Sequence, residues 1–478
     1  MARPPGASGR PNILLIQADQ HRASALPGGE GPGQPPLRAP ALERLAREGV
    51  RFSHAFTPAA TCCPARQSLL SGTWPQDHGG LWNYGVGLPL PLFDRPTWTE
   101  ALSETGYRLG YVGKWEVHPS RSPLDVGFHD YVERAAYDAW RRELALPEPL
   151  LDADHLSALQ GKPAARWFGG VDPVDVAQTR THWCAAQAVE LIRRYHAEGR
   201  PWHVRLDFFE PHLPPYPAEP FASLYPADAI PPWGSFAETF ARKPEMQRQQ
   251  LRNWGIEDLT WAEWSHYVSR YLGMISQIDD AVGMVLDALD ELGLAENTLV
   301  IYTSDHGDNA GGHRMIDKHY VLYDDVVRVP LLIRWPDVAR AATISNPIIH
   351  ALDLPPTICE AAGLPIPAQY AGRSLLPLLS GEAVADWRQE AVAVAYGAQF
   401  GLYSQRMLRD SRYKYVWNHT DVDELYDLDA DPDELHNLID HPGYADVLTD
   451  MRRRLLGHLD AMGDALVRTD WMRRQLGG

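Results

Sequence analysis

Two neighbouring cysteines, Cys62 and Cys63, sit in the stretch TPAATCCPARQSLLSGTWPQDHG (57–79) of a chain that has four cysteines in all. Pro64 suits the first turn of a helix through ARQSLLS, with Gly72 as its stop. Cys62 then lies just before a helix N-terminus, where free backbone N–H groups and the macrodipole favour negative charge. Two small residues packed ahead of a helix would look the same. A second set of groups is Asp19-Gln20, closing one apolar run, and Asp305-His306 of SDHGD, closing another. Carboxylates, an amide carbonyl and an imidazole nitrogen form a donor set for a hard divalent ion. In isolation the same residues also serve as strand-end turns or helix N-caps.

Bringing together groups that lie more than half the chain apart requires a scaffold. PNILLIQADQ (11–20) reads as a buried parallel strand whose carboxyl end opens into a site. PALERLAREGVRF (40–52), TWTEALSETGYRLGYVGKW (97–115) and residues 179–212 each read as an amphipathic helix, a glycine stop and a strand. If YVGKWE continues as a strand, Lys114 and Glu116 share a face. Residues 267–308 predict a long helix stopping near Gly293, then a Val/Ile-rich strand ending at Asp305. This alternation predicts an α/β fold, a large and mostly parallel sheet flanked by helices, with ligands beyond the carboxyl ends of the strands. The Pro- and Trp-rich residues 201–260 read as ordered loops framing a pocket, and Trp202, Tyr216, Trp233, Trp254 and the adjoining Trp261 serve either as stacking platforms or as packing. From about residue 385 short strand-like pieces and a helix from about Ala445 to Leu459 predict a small C-terminal α+β domain with an antiparallel sheet, giving domains 10–384 and 385–478.

At 478 residues, 45% apolar and 22% charged, the chain has ample material for a large core and a smaller companion. Its net charge of −18 opposes nucleic acid and anionic membranes, so an anionic substrate needs a local cationic pocket. The apolar run 13–16 is too short for a signal peptide or a membrane span. The cysteines show neither CxxC spacing nor the density of a disulfide framework, which predicts a cytoplasmic protein without a zinc finger or redox motif.

CCPAR (62–66) resembles the Cys-x-Pro-x-Arg signature of type I, formylglycine-dependent sulfatases of the alkaline-phosphatase-like superfamily, and the resemblance runs along nearly the whole chain. It implies the fold just described and a sulfuric ester hydrolase. It implies that a formylglycine-generating enzyme oxidises Cys62 to Cα-formylglycine, whose hydrate attacks sulfur with one oxygen and expels sulfate with the other. Arg66 would hold that hydrate, and Cys63 fills the variable position. One divalent ion is implied on Asp19, Gln20, modified Cys62, Asp305 and His306. Calcium is the first expectation, with manganese or magnesium as alternatives, because relatives with Gln at the second position use other metals. GKW (113–115), EPH (210–212) and GGHRMIDKH (311–319) match further family positions, which carry over as Lys114, His212, His313 and Lys318, donors around an anionic ester. The implied substrate is a sulfated sugar or an aryl or alkyl sulfate.

One position departs from the pattern. The family commonly reads GKWH, and here Glu116 stands where that histidine accepts a proton. Glu116 or His118 would take the role, or Glu116 merely pairs with a nearby cation. Two other readings stay open: a phosphonate monoester or phosphodiester hydrolase of the same superfamily, and an unmodified, inactive binding relative. Neither the alcohol nor the oligomeric state is legible in the residues.

Overall fold

In the computed structural model, which describes residues 10–27, 37–86, 90–152, 156–318, 320–397, 399 and 401–477, the run NILLIQAD forms strand β1 (Asn12–Asp19), buried at every position. His319, the end of the GGHRMIDKH motif, lies outside the described residues. Seven further strands join β1: β2 (Val50–Phe52), β3 (Arg108–Gly113), β4 (Asp130–Val132), β5 (Trp202–Pro211), β6 (Thr298–Ser304), β7 (Leu331–Arg334) and β8 (Thr343–Ser345). Their order across the sheet is β8-β2-β7-β6-β1-β5-β3-β4, and β7 alone runs against the others. A central strand covered on both faces has to be apolar throughout, which is why β1 carries no polar alternation before its tip.

Side-chain alternation deals the strand residues into two layers. Ile13 and Leu15 pack with Leu109, Tyr111 and Ile301 against α2 (Cys62–Ser71), α3 (Trp98–Glu104) and α6 (Leu354–Ala361). Leu14 and Ile16 pack with Val204, Leu206 and Val300 against α1 (Pro40–Glu48), α4 (Arg180–Ala197) and α5 (Trp261–Glu291). The long helix ends where expected, with Gly293 at φ +66° just beyond it.

After the large sheet come four antiparallel strands in sequential order, β9 (Ala391–Gly397), β10 (Tyr403–Arg409), β11 (Tyr413–Trp417) and β12 (Glu424–Asp427). Val392, Leu408, Tyr415 and Trp417 lie under α7 (Ala445–Ala461), whereas Ala391, Ala393, Met407 and Val416 join the cluster of Tyr267 and Val326 in the main body. One face of the second sheet is thus a wall of the larger unit.

The reading of YVGKWE as a continuous strand is corrected here. β3 stops at Gly113, with φ +102°, and Glu116 has φ +43°, so the chain leaves the sheet in a turn. Gly113 faces Asp207 in the register of β3 and β5, and the N–H of Lys114 donates to the Asp207 carbonyl at 2.9 Å. A Cβ at Gly113 would stand 1.9 Å from that carbonyl oxygen. Gly113→Ala is therefore expected to cost about 1–3 kcal/mol in backbone strain and to displace Lys114. Thermal unfolding checks this, and an unchanged midpoint would count against it.

Candidate active site

The tips of four adjacent strands, β6, β1, β5 and β3, deliver Asp305-His306, Asp19-Gln20, His212 and Lys114 to one place, and α2 points its N-terminus at them. The helix begins at Cys62, with Thr61 as N-cap and Gly72 (φ +69°) as C-cap. Cys62 is thus its first residue rather than the residue before it. Positions 62 and 66 lie four apart on this helix and share a face, the physical content of the Cys-x-Pro-x-Arg spacing.

Arg66 is fully buried and holds the strand ends together. Its Nε donates to Asp305 at 2.8 Å, one Nη to Asp207 at 2.8 Å and to the Lys114 carbonyl at 3.0 Å, and the other to Asp19 at 3.3 Å. Four of its five N–H groups are directed at these protein acceptors, so the side chain expected to hold the reacting group is first a clamp. Asp207 was not foreseen. Its signal was an Arg-x-Asp pair inside an apolar strand: Arg205 forks onto Asp207 at 2.8 and 2.9 Å, and Tyr111 OH lies 2.7 Å from it.

Above the clamp, Asp19, Cys62, Asp305 and His306 place one ligand atom each within 4.8 Å of one another. His306 Nδ1 lies 2.9 Å from the Gly307 carbonyl, and burial lowers its pKa, partly offset by Asp305; the ring is neutral, donates from Nδ1 and presents the Nε2 lone pair 3.2 Å from Cys62 Sγ. Burial alone would raise the pKa of Asp19, but the positive charges of Lys114 and Arg66 hold its carboxyl far below the usual range. Two carboxylates, a neutral imidazole and a side chain at position 62 fit a divalent cation. Gln20 is oriented beside them: its Nε2 donates to Asp308 at 2.6 Å and its Oε1 accepts from Lys318 at 2.9 Å, which leaves that oxygen a second lone pair.

Lys114 contacts Asp19, stands 3.7 Å from Cys62 Sγ and 3.0 Å from Glu116. Glu116 is therefore beside Lys114 as expected, through a turn rather than along a strand. Burial pushes its pKa up, but Lys114 outweighs this and the carboxyl stays below its ordinary range, on a side chain that is 46% exposed. Lys318 meets His212 Nε2 at 2.8 Å, and His212 Nδ1 meets the Leu213 carbonyl at 2.7 Å. Burial, then Lys318, pushes His212 down to about 3, so it is neutral and accepts from Lys318.

Two expected residues go elsewhere. His313 stacks on Tyr323 with ring centres 3.5 Å apart and bonds Glu238 at 3.0 Å. Positive φ at His313, Arg314 and Asp317 folds the motif back, which sends the histidine away from the lysine that follows it in the motif. His118 accepts at Nδ1 from the backbone N–H groups of Ser120 and Arg121 and lies half-buried in that loop. Among the aromatic residues, Trp202, Trp233 and Trp254 are buried in packing, and Tyr216 lines the cleft. That cleft, about 530 Å³, opens from Lys114, Glu116 and His212 and is bordered by Trp167, a platform the sequence reading passed over.

Removing Arg66 leaves three buried carboxylates short of their cation. Arg66→Ala is expected to destabilise the fold by about 3–5 kcal/mol. Arg66→Lys keeps the charge but not the fork and should fall between the two. Denaturant unfolding measures both, and wild-type midpoints in both variants would contradict the clamp.

The chain is similar to known proteins along most of its length. The family model described as Sulfatase matches residues 11–364, and that of the N-sulphoglucosamine sulphohydrolase C-terminal region matches 311–460. An uncharacterised sulfatase, YidJ, of Escherichia coli (strain K12) is 30% identical over 477 residues, covering 97% of this chain and 90% of its own. An N-acetylglucosamine-6-O-sulfatase of Bacteroides thetaiotaomicron is 25% identical, over 91% of this chain and 84% of its own. The crystal structure of a phosphonate monoester hydrolase of Agrobacterium radiobacter superposes with a TM-score of 0.78 at 26% identity, over 95% of this chain and 96% of that one. A match through most of the chain, joined to a strand-end cluster around Cys62, shows that the protein belongs to the sulfatase family of the alkaline-phosphatase-like superfamily and is a sulfatase.

Proposed function

We propose that the protein hydrolyses sulfate monoesters of small alcohols, sugars foremost, with formylglycine at position 62 and one divalent ion held by Asp19, Gln20, Asp305, His306 and the modified side chain. The observation that carries this reading is the convergence of Cys62 with two carboxylates and His306 within 4.8 Å, next to Lys114. As a thiol, Cys62 suits no nucleophilic role: burial and Asp19 push its pKa well up, so it stays protonated. When present, the ion and the formylglycine side chain supply a polarised ester oxygen and the nucleophile.

The chain's own side chains do the rest. Lys114 and Lys318 place fixed positive charge where the ester's free oxygens collect, in a site closed to water at its floor. Lys318 points a proton at His212 Nε2, and this pair passes it to the departing alcohol oxygen. Glu116, ionised at the cleft mouth, takes up a proton in the half of the cycle that releases sulfate. Trp167 and Tyr216 offer stacking faces for a sugar, the class named by the N-acetylglucosamine-6-O-sulfatase relative. All four cysteines are free, which supports a reducing, cytoplasmic setting, and no helix among the described residues is long and apolar enough to cross a membrane. Maturation calls for a formylglycine-generating enzyme. We take residues 10–384 as the catalytic domain and 385–478 as the C-terminal domain. Calcium remains the first choice of ion, and a donor set with an amide and an imidazole keeps manganese or magnesium in view. The phosphonate monoester hydrolase neighbour makes phosphonate or phosphodiester cleavage the second reading.

Cys62→Ala is expected to abolish turnover and Cys63→Ala to leave most of it, with mass spectrometry of the Cys62 peptide reporting the aldehyde. Removing the ion with a chelator should stop activity. Parallel kinetics on sulfate, phosphonate and phosphodiester esters of one phenol rank the two readings, and a preference for the phosphorus esters would replace the first. Glu116→Gln should slow steady-state turnover more than the first burst of alcohol, because attack is intact. Since Lys114 keeps this carboxyl ionised into acid, the acid limb of steady-state activity should move up in pH once Glu116 is replaced by His.

A further inference from the structure

Gln20 is pinned at its backbone. Its φ is +72°, its N–H donates to Asp305 Oδ1 at 3.2 Å, and its carbonyl accepts from Tyr271 OH at 2.8 Å. What remains to be fixed is the direction of its carboxamide, whose two ends have the same shape and differ only in hydrogen bonding. On one side lies Asp308, wholly buried. Asp308 Oδ1 accepts from the backbone N–H groups of Ala310 at 2.7 Å and Asp317 at 3.2 Å, and Oδ2 accepts from Gln20 Nε2 at 2.6 Å and Tyr267 OH at 3.0 Å. All four neighbours donate, so this carboxylate acts as acceptor only. On the other side lies Lys318, donor only, whose ammonium meets Gln20 Oε1 at 2.9 Å, His212 Nε2 at 2.8 Å and Asp317 Oδ1 at 3.2 Å.

We propose that Asp308 is a positioning residue that turns the oxygen of Gln20 away from itself, toward Lys318 and the divalent ion, and keeps the amide N–H₂ out of the ion's reach. The inference rests on the metal reading given above. Exchanging the carboxylate for an amide exposes the logic. In Asp308→Asn the two backbone N–H donors hold the oxygen of the introduced amide, so its NH₂ faces Gln20. Gln20 then turns its oxygen back toward that NH₂ and its own N–H₂ toward Lys318 and the ion, donor against donor. Adding Gln20→Glu removes the conflict, since a carboxylate accepts at both ends, from the introduced amide on one side and from Lys318 on the other.

The test is calorimetric titration of the metal-stripped protein with Ca²⁺, repeated with Mn²⁺, with the unfolding temperature of the metal-free form measured alongside. Loss of an outer partner of this kind typically weakens binding by about 10–100-fold, and that is the loss expected for Asp308→Asn. The double variant Asp308→Asn/Gln20→Glu should recover most of that loss, and because the amide-to-amide conflict is gone and the net charge of the pair is restored it is expected to fold even if the single variant does not. Wild-type affinity in Asp308→Asn overturns the proposal. So does a folded double variant that binds as weakly as the single one, since an acceptor facing Lys318 and the ion would then not restore binding. If the wild-type protein itself takes up neither ion, the metal reading fails, and the positioning role with it.

Discussion

A guanidinium with no access to water lies beneath the active site, and the arrangement above it follows from the need to neutralise that charge. Burying an unpaired ion costs several kcal/mol even after relaxation, so Arg66 can sit where it does only with carboxylates around it. Asp19 comes from the end of β1, Asp305 from just past β6, Asp207 from within β5 at the level where β3 ends, and the Lys114 carbonyl from just past β3. One side chain on α2 thereby ties four adjacent strands together at the level of the site. Cys62, one helical turn before Arg66, inherits that precision.

Charge is balanced in this buried layer. Arg66, Arg205 and Lys114 face Asp19, Asp207 and Asp305. A set of equal and opposite charges lets the histidines of the site remain neutral: burial sets the direction for both His306 and His212, and Lys318 reinforces it. Neutral rings are what the two positions need, one to offer a lone pair beside Cys62 and the other to accept from Lys318. The cost of burying ions is thus tied to the protonation states the chemistry requires.

Much of this was legible in the residues. The period of β1 and its polar tip, the helix stops at Gly72 and Gly293, and the change of texture before Ala391 all belong to local patterns a short window contains. Asp207 and Asp308 were not read as site residues, because their significance lies in contacts 141 and 288 positions away in the chain. His313 was misplaced for the opposite reason. Its spacing from Lys318 looked informative, but spacing predicts direction only within a regular element, and this segment has none between Met315 and Lys318. Lys114 and Glu116 met as foreseen for a reason not foreseen, through a turn after Gly113.

Left-handed backbone at non-glycine residues occurs around the site: Gln20, Glu116 and Asp317 have positive φ. Each such residue costs about 1–3 kcal/mol and persists only where its surroundings overdetermine it. At Gln20 the overdetermination is visible, with Asp305 and Tyr271 holding the main chain and Asp308 and Lys318 holding the amide. At Asp317 the backbone N–H is taken by Asp308 and the carbonyl by Asn309, so the loop bearing Lys318 is tied to the carboxylate that faces Gln20. The two strained residues Gln20 and Asp317 are therefore coupled through Asp308. Just past β1 the chain turns left-handed at Gln20, and the hydrogen bonds that hold that turn also decide which atoms Gln20 presents.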